Sequence, residues 1–231
     1  MNWWSRFLDC VSPRMCVICN HRLAPTEHSV CCSCLFSLHR TDFHLTPYDN
    51  KMARLFWGLV PIEKAAAFVY FHPHSDPAQM VYQLKYANHP DIGIDLGRIM
   101  AQEMIPSDFF QDIDALLPVP LADKRMRQRG YNQSEQLAIG IHQLTHLPVI
   151  TKALRRKSFH QSQTKLFRWE RQENVSDTFQ LVDDHELTGR HVLLIDDVCT
   201  TGATLCACIN ALKDVEDIRC SILTLSFTKK D

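Results

Sequence analysis

The sequence predicts an α/β fold, a mostly parallel sheet flanked by helices, with a small cysteine-rich module at its N-terminus. Three observations carry this. Runs of β-forming residues alternate with segments of helical period from about residue 64 to 225, four consecutive apolar residues at 192–195 end in two carboxylates, and five cysteines crowd between Cys16 and Cys34. At 231 residues and 45% hydrophobic content the chain is long enough for one sizeable core and a satellite. We expect the cysteine-rich module over 1–45 and the main domain over 60–231.

The elements follow in order. Residues 64–71 read as a strand, and Pro73 and Pro77 mark a turn before a helix over 79–86. A second helix is expected over 93–104, a strand over 115–119, a helix over 133–144 and a short strand over 149–151. The stretch 152–178 is polar, basic and weakly patterned, which suggests a mobile flap with a short helix at 164–173. A strand over 191–195, a helix over 203–213 and a strand over 220–225 complete the set. Strands alternating with helices imply right-handed crossovers and ligand sites beyond the carboxyl ends of the strands.

Charge is uneven. The formal net charge is −1, so no global field selects nucleic acid or an anionic membrane. The segment 119–173 nevertheless carries +7 and the remainder −8, a division that suits a phosphate-binding face. No apolar run approaches the roughly 20 residues needed to cross a bilayer. The opening residues lack a basic start and a cleavage site, and the expected compartment is the cytoplasm. Trp3, Trp4, Phe7 and Leu8 stand at helical spacing and are expected to pack onto the body.

Cys16 and Cys19 form one C-x-x-C knuckle, and after eleven intervening residues Cys31 and Cys34 form another. Two residues between thiolates let a tight turn present both sulfurs to one ion, and two such turns complete a tetrahedral site. Structural zinc on Cys16, Cys19, Cys31 and Cys34 is the reading. Cys32 competes with Cys31 for the register, and His21 and His28 are close enough in sequence to substitute. The other thiols, Cys10, Cys199, Cys206, Cys208 and Cys220, read as small core residues.

The most informative stretch runs from Val192 through Asp196, Asp197, Thr200, Thr201, Gly202, Ala203 and Thr204. A Thr/Gly turn opening a helix aims several N–H groups at one point, a cradle for a phosphate, and Gly202 permits close backbone approach. Carboxylates repel a phosphate but accept hydrogen bonds from the vicinal hydroxyls of a ribose. Together the two demands describe a ribose 5-phosphate. Neither a P-loop nor a dinucleotide fingerprint is present. A second block, Pro118-Val119-Pro120-Leu121 followed by Lys124, Arg125, Arg127 and Arg129, then Gly130-Tyr131-Asn132-Gln133, reads as a turn whose cations neutralise pyrophosphate, with Asn132 capping the next helix.

The Asp-Asp-x-x-Thr-Thr-Gly-x-Thr stretch resembles the 5-phosphoribosyl 1-pyrophosphate (PRPP) motif of type I phosphoribosyltransferases. That resemblance implies that Asp196 and Asp197 hold the ribose hydroxyls, that Thr200 to Thr204 wrap the 5-phosphate, and that Mg2+ bridges pyrophosphate and ribose oxygens. The Arg125–Asn132 block resembles the ComF family, known for its part in natural competence and related to the GntX proteins. Leu84-Lys85-Tyr86, Gln163-Thr164-Lys165-Leu166 and the cysteine knuckles agree. Tyr131 stands where that family more often has Phe. The resemblance implies Arg125, Arg129 and Lys85 on the pyrophosphate side, Lys165 and Arg171 on the flap, and single-stranded DNA and DNA-uptake proteins as partners. Phe159, Phe167, Trp169 and Tyr131 lie among the basic residues as candidate stacking rings. The alternative is an active phosphoribosyltransferase acting on a nucleobase or other small acceptor, although the sequence shows no base-binding pocket.

Overall fold

A computed structural model describes residues 13–73, 75–86, 89–157 and 178–228. Its centre is a four-stranded parallel sheet in the order β1-β6-β5-β2, formed by β1 (Ala65–Phe71), β2 (Ala115–Pro118), β5 (His191–Cys199) and β6 (Arg219–Thr228). Central strands covered on both faces are apolar along their length. Every residue of β5 from His191 to Ile195 is buried, as is every residue of β6 from Cys220 to Phe227. The helices are α1 (Cys32–Ser37), α2 (Asp76–Tyr86), α3 (Asp91–Met104), α4 (Asp123–Arg129), α5 (Gln133–Thr145) and α6 (Ala203–Ala211). Strands β3 (Leu154–Arg156) and β4 (Phe179–Leu181) form a separate antiparallel pair, and β4 packs against α6.

Helix α5 lies on β2 and β5 with α3 packed along it. That pairing is close because the chain is bare at Gly97 and Gly140. A methyl group at Gly140 would run into the Ile94 carbonyl and come within 2.9 Å of Arg98 N. The cysteine-rich head is tied to the body by Ser29 Oγ, which donates to Asp95 Oδ2 on α3 at 2.6 Å. The following chain bridges Val69 of β1 at Arg40, whose guanidinium pairs with Glu103 at 2.9 Å and lies 4.3 Å from the Phe68 ring centroid.

Several sequence expectations shift. The helix expected from residue 79 starts at Asp76, the one from 93 at Asp91, and the one to 213 stops at Ala211. The strand at 149–151 reduces to a single parallel bridge, Leu116 to Val149. Pro148 accepts from Leu116 N, Ile150 donates to Leu116 O, and no further rung forms. The strand at 191–195 continues to Cys199, because β6 pairs with it through Asp196–Thr224, Val198–Ser226 and Cys199–Phe227. Residues 123–129, read as a turn, form α4, closed by Gly130 in the left-handed conformation at φ 80°. Cys199, Cys208 and Cys220 are buried, and Cys206 partly so. Trp3, Trp4, Phe7, Leu8, Cys10 and the 164–173 helix lie outside the described residues. Among the described residues no helix is long and apolar enough to cross a membrane.

Candidate functional site

Strand β2 stops at Pro118, opposite Ile195, while β5 runs on to Cys199, so the chain after β2 borders the carboxyl end of β5. A cavity of about 710 Å³ opens there. Its floor is the paired carboxylates of β5. Asp196 Oδ1 accepts from Ser134 Oγ at 3.1 Å and from Asp197 N at 2.9 Å. Asp197 Oδ2 accepts from Gln133 Nε2 at 3.3 Å and pairs with Lys85 Nζ at 3.0 Å. Asp196 Oδ2 and Asp197 Oδ1 receive no hydrogen bond from the described residues. Each carboxylate is therefore anchored by one oxygen and offers the other.

Local structure explains the anchoring. Asn132 caps α5, accepting from Ser134 N at 3.2 Å while its amide donates to Val119 O at 3.0 Å. This fixes Gln133 and Ser134 beneath the carboxylates. Burial first, and the charge of Asp197 second, push Asp196 up to about 7. An acid raised in the folded state opposes folding at pH values above its unfolded pKa, so this group lowers stability as pH rises through about 4 to 7. The displacement from 3.8 to about 7 is worth at most about 4 kcal/mol. Asp196→Asn is accordingly expected to raise the ligand-free melting temperature at pH 8 by about 3 °C or more, and to change it little at pH 4, as read by calorimetric scans at both pH values.

Four cations, Lys85, Arg125, Arg129 and Arg156, also line the cavity. Burial and then the Arg125 charge hold Arg156 below the usual guanidinium range, while its guanidinium carbon sits 5.3 Å from the Phe179 ring centroid. Arg129 Nη1 and Gln133 Oε1 are buried without a hydrogen-bond partner among the described residues. Such orphaned groups are costly, and in this lining Arg129 Nη1 offers a donor and Gln133 Oε1 an acceptor.

At one end the wall continues into the Thr200–Thr204 turn, where an adjoining space of about 30 Å³ is enclosed by Asp196, Thr200, Thr201, Gly202, Ala203 and Thr204. Gly202 caps α6 in the left-handed conformation at φ 75°, and a Cβ there would lie 2.9 Å from Phe56 Cε1. The glycine is thus required by the fully buried Phe56 ring as well as by the turn. All ten residues selected for sugar phosphate binding surround these two adjoining spaces.

Sequence reasoning missed Arg156, which β3 delivers from a stretch without periodic signal, and the roles of Gln133 and Ser134, which directly follow the capping Asn132. It also missed the cavity's apolar end, where Phe71, Val81 and Tyr86 meet. Tyr131 is removed from the set of stacking rings. It is buried, and its hydroxyl donates to Leu84 O at 2.8 Å. Phe159, Phe167, Trp169, Lys165 and Arg171 lie outside the described residues.

In the head, the Sγ atoms of Cys16, Cys19, Cys31 and Cys34 lie within 4.8 Å of one another and could hold a metal ion. Thiolates about 2.3 Å from a tetrahedral ion stand about 3.8 Å apart, and the Cys19 and Cys31 sulfurs are 3.7 Å apart. Cys32 is exposed at the start of α1 and takes no part, because its backbone N–H donates to Glu27 Oε1 and its side chain leaves the cluster. Burial opposes ionisation of Cys16, but backbone hydrogen bonds from Cys19, Cys31 and Ile18 outweigh it and bring the thiol to about 7.

Comparison with known proteins fits this architecture. The family described as "Phosphoribosyl transferase domain" matches residues 90–225. The chain is 27% identical over 204 residues to "DNA utilization protein YhgH" of Escherichia coli (strain K12), covering 84% of this chain and 88% of that protein. It is 36% identical over 93 residues to "Competence protein F" of Haemophilus influenzae, covering 40% of this chain and 41% of the relative. It is 36% identical over 92 residues to "Competence protein ComFC" of Bacillus subtilis, covering 39% and 34%. With the matched segment spanning β2, β5 and the turn that closes the cavity, the chain belongs to the phosphoribosyl transferase domain family.

Proposed function

We propose that the chain binds PRPP in the strand-end cavity and acts in the handling of incoming single-stranded DNA during natural transformation. The observation that supports this most directly is the pair of free oxygens on Asp196 and Asp197, set opposite Arg125, Arg129 and Arg156 and beside the Thr200–Thr204 turn. Two anchored acceptors match two vicinal hydroxyls, the amide-lined turn matches a 5-phosphate, and the arginines match a pyrophosphate. Lys85, which pairs with Asp197 without ligand, is free to move to the pyrophosphate once hydroxyls take over the carboxylate. Mg2+, a hard cation, would be held near the carboxylates of Asp196 and Asp197 together with oxygens of the ligand, and would supply charge neutralisation there. The DNA half of the reading draws on the names of the relatives and on the exposed cations of α4, Lys124, Arg125 and Arg127.

In this reading the head over 1–45 is a structural zinc module and 60–231 is the PRPP-binding domain, in the cytoplasm. Thiolate softness and a closed four-sulfur set suit zinc, and leave no open position for catalysis.

Titration calorimetry tests the sugar phosphate site. PRPP with Mg2+ is expected to give saturable heat, and Asp197→Asn to weaken binding at least about tenfold, with zinc content unchanged. No heat from the unmodified protein refutes the site assignment. Loss of zinc together with PRPP binding refutes the separation into two modules. For DNA, affinity is expected to fall steeply between low and moderate salt, and a flat response refutes phosphate contacts as its basis.

A further inference from the structure

The apolar end of the cavity has no role in holding a sugar phosphate. Tyr86 contributes to this apolar part of the lining together with Val81 and Phe71, and is itself 65% exposed. Its ring packs tilted against Tyr82 one helical turn earlier on α2, with centroids 4.9 Å apart and planes at 43°. Tyr82 is 57% exposed and lies outside the cavity lining, so the aromatic surface continues from the cavity mouth onto the outer face of α2. Across from Tyr86 stands Arg129, its guanidinium carbon 5.6 Å from the ring centroid. On the same helix as Arg129, α4 exposes Lys124, Arg125 and Arg127, with one acid, Asp123, at its first position, where it pairs with Arg155.

Two large rings exposed side by side gain nothing from solvent. Flat aromatic rings flanked by cations suit a flat, π-rich partner with a phosphate backbone, because every base offers a face for stacking and every linkage an anion for the cations. We infer that Tyr86 and Tyr82 form a two-ring stacking platform for unpaired bases of a single strand, whose phosphates face Arg129 and the exposed cations of α4. A single strand is favoured over a free nucleobase because the second ring and the α4 cations lie outside the cavity, where a free base needs neither. A duplex is excluded by its stacked interior, which hides the base faces. The inference rests on the single-strand half of the proposed function and assigns it a place next to the PRPP cavity. It replaces Tyr131, which is buried, as the ring that meets a base.

The test measures equilibrium binding of a labelled thymine-containing single strand, the same backbone with abasic residues, and a duplex of equal length. Tyr82→Leu and the double variant Tyr82→Leu/Tyr86→Leu are expected to lose about tenfold or more in affinity for the strand. The corresponding Phe variants are expected to restore it, because the ring and not the hydroxyl stacks. The abasic backbone is expected to bind weakly and equally to all variants. Tyr82→Leu, outside the cavity, is expected to leave PRPP heat unchanged. If the unmodified protein binds the strand but neither base removal nor the Leu variants matter, the platform is refuted while the proposed function stands. If the unmodified protein binds no strand, both fail. Binding of free nucleobases without binding of the strand likewise overturns the platform.

Discussion

Removing the metal from the four-cysteine cluster is expected to unfold the head while leaving the sheet in place. Among the described residues of the head the buried apolar side chains are Cys16, Leu23, Val30, Cys34, Leu38 and Phe43, and its helix α1 has six residues, too few to be stable alone. Zinc on four thiolates contributes on the order of 10 kcal/mol or more to such a fold, as much as the whole stability of a typical domain. Chelation is therefore expected to open residues 13–38 to proteolysis and to break the Ser29–Asp95 hydrogen bond, with β1, β5 and β6 keeping their protection. Limited proteolysis with mass mapping reads both outcomes. Cys16→Ser is expected to reproduce the effect, because its sulfur is in the cluster, whereas Cys32→Ser is expected to do nothing. Unchanged protection of the head after complete metal removal contradicts a structural ion.

Gly140→Ala is expected to cost about 3 kcal/mol or more. The added methyl faces backbone on α3, the Ile94 carbonyl and Arg98 N, which cannot rotate away as a side chain would. Gly97→Ala meets the Leu137 carbonyl on α5 in the reciprocal manner. The two glycines share one contact, so the double variant is expected to cost less than the sum of the single ones. Gly58→Ala serves as the comparison. It sits at φ 73° with nothing within 4 Å, and only the conformational penalty of roughly 1 kcal/mol applies. Urea titration reads these as a fall in midpoint at constant slope. A functional consequence follows from the same contact. Helix α5 begins with Gln133 and Ser134, so separating it from α3 shifts the groups that anchor Asp197 and Asp196, and PRPP affinity is expected to fall with stability.

The parts of the site that share one stretch of chain were legible without a fold. Asp196, Asp197 and Thr200 to Thr204 are neighbours in sequence, and a strand, a glycine turn and a helix in that order place them together. The cysteine knuckles were legible for the same reason, since the two sulfurs of each pair are brought together within one turn. Periodicity missed α1, α4 and the β3–β4 ribbon and overstated the strand at 149–151, but it gave the order of the sheet strands and of α2, α3, α5 and α6, with errors at their ends. The largest of these was β5, where pairing with β6 carried the strand past its polar residues, because backbone hydrogen bonds to a neighbour outweigh side-chain preference.

The amino-acid sequence by itself determined the α/β class, the carboxylate and Thr/Gly turn proposed to cradle a sugar phosphate, and the sulfur set of the head, all of which depend on residues a few positions apart. Tertiary structure alone decided which distant groups complete the cavity. Arg156 arrives on a two-stranded ribbon, Lys85 and Tyr86 on the end of α2, and Gln133 on the start of α5, from separations of up to 112 positions relative to Asp197. It also decided that Tyr131 is core and Tyr86 surface. Both are tyrosines beside basic residues in sequence, and only packing determines which ring is buried beneath a helix and which is left facing water.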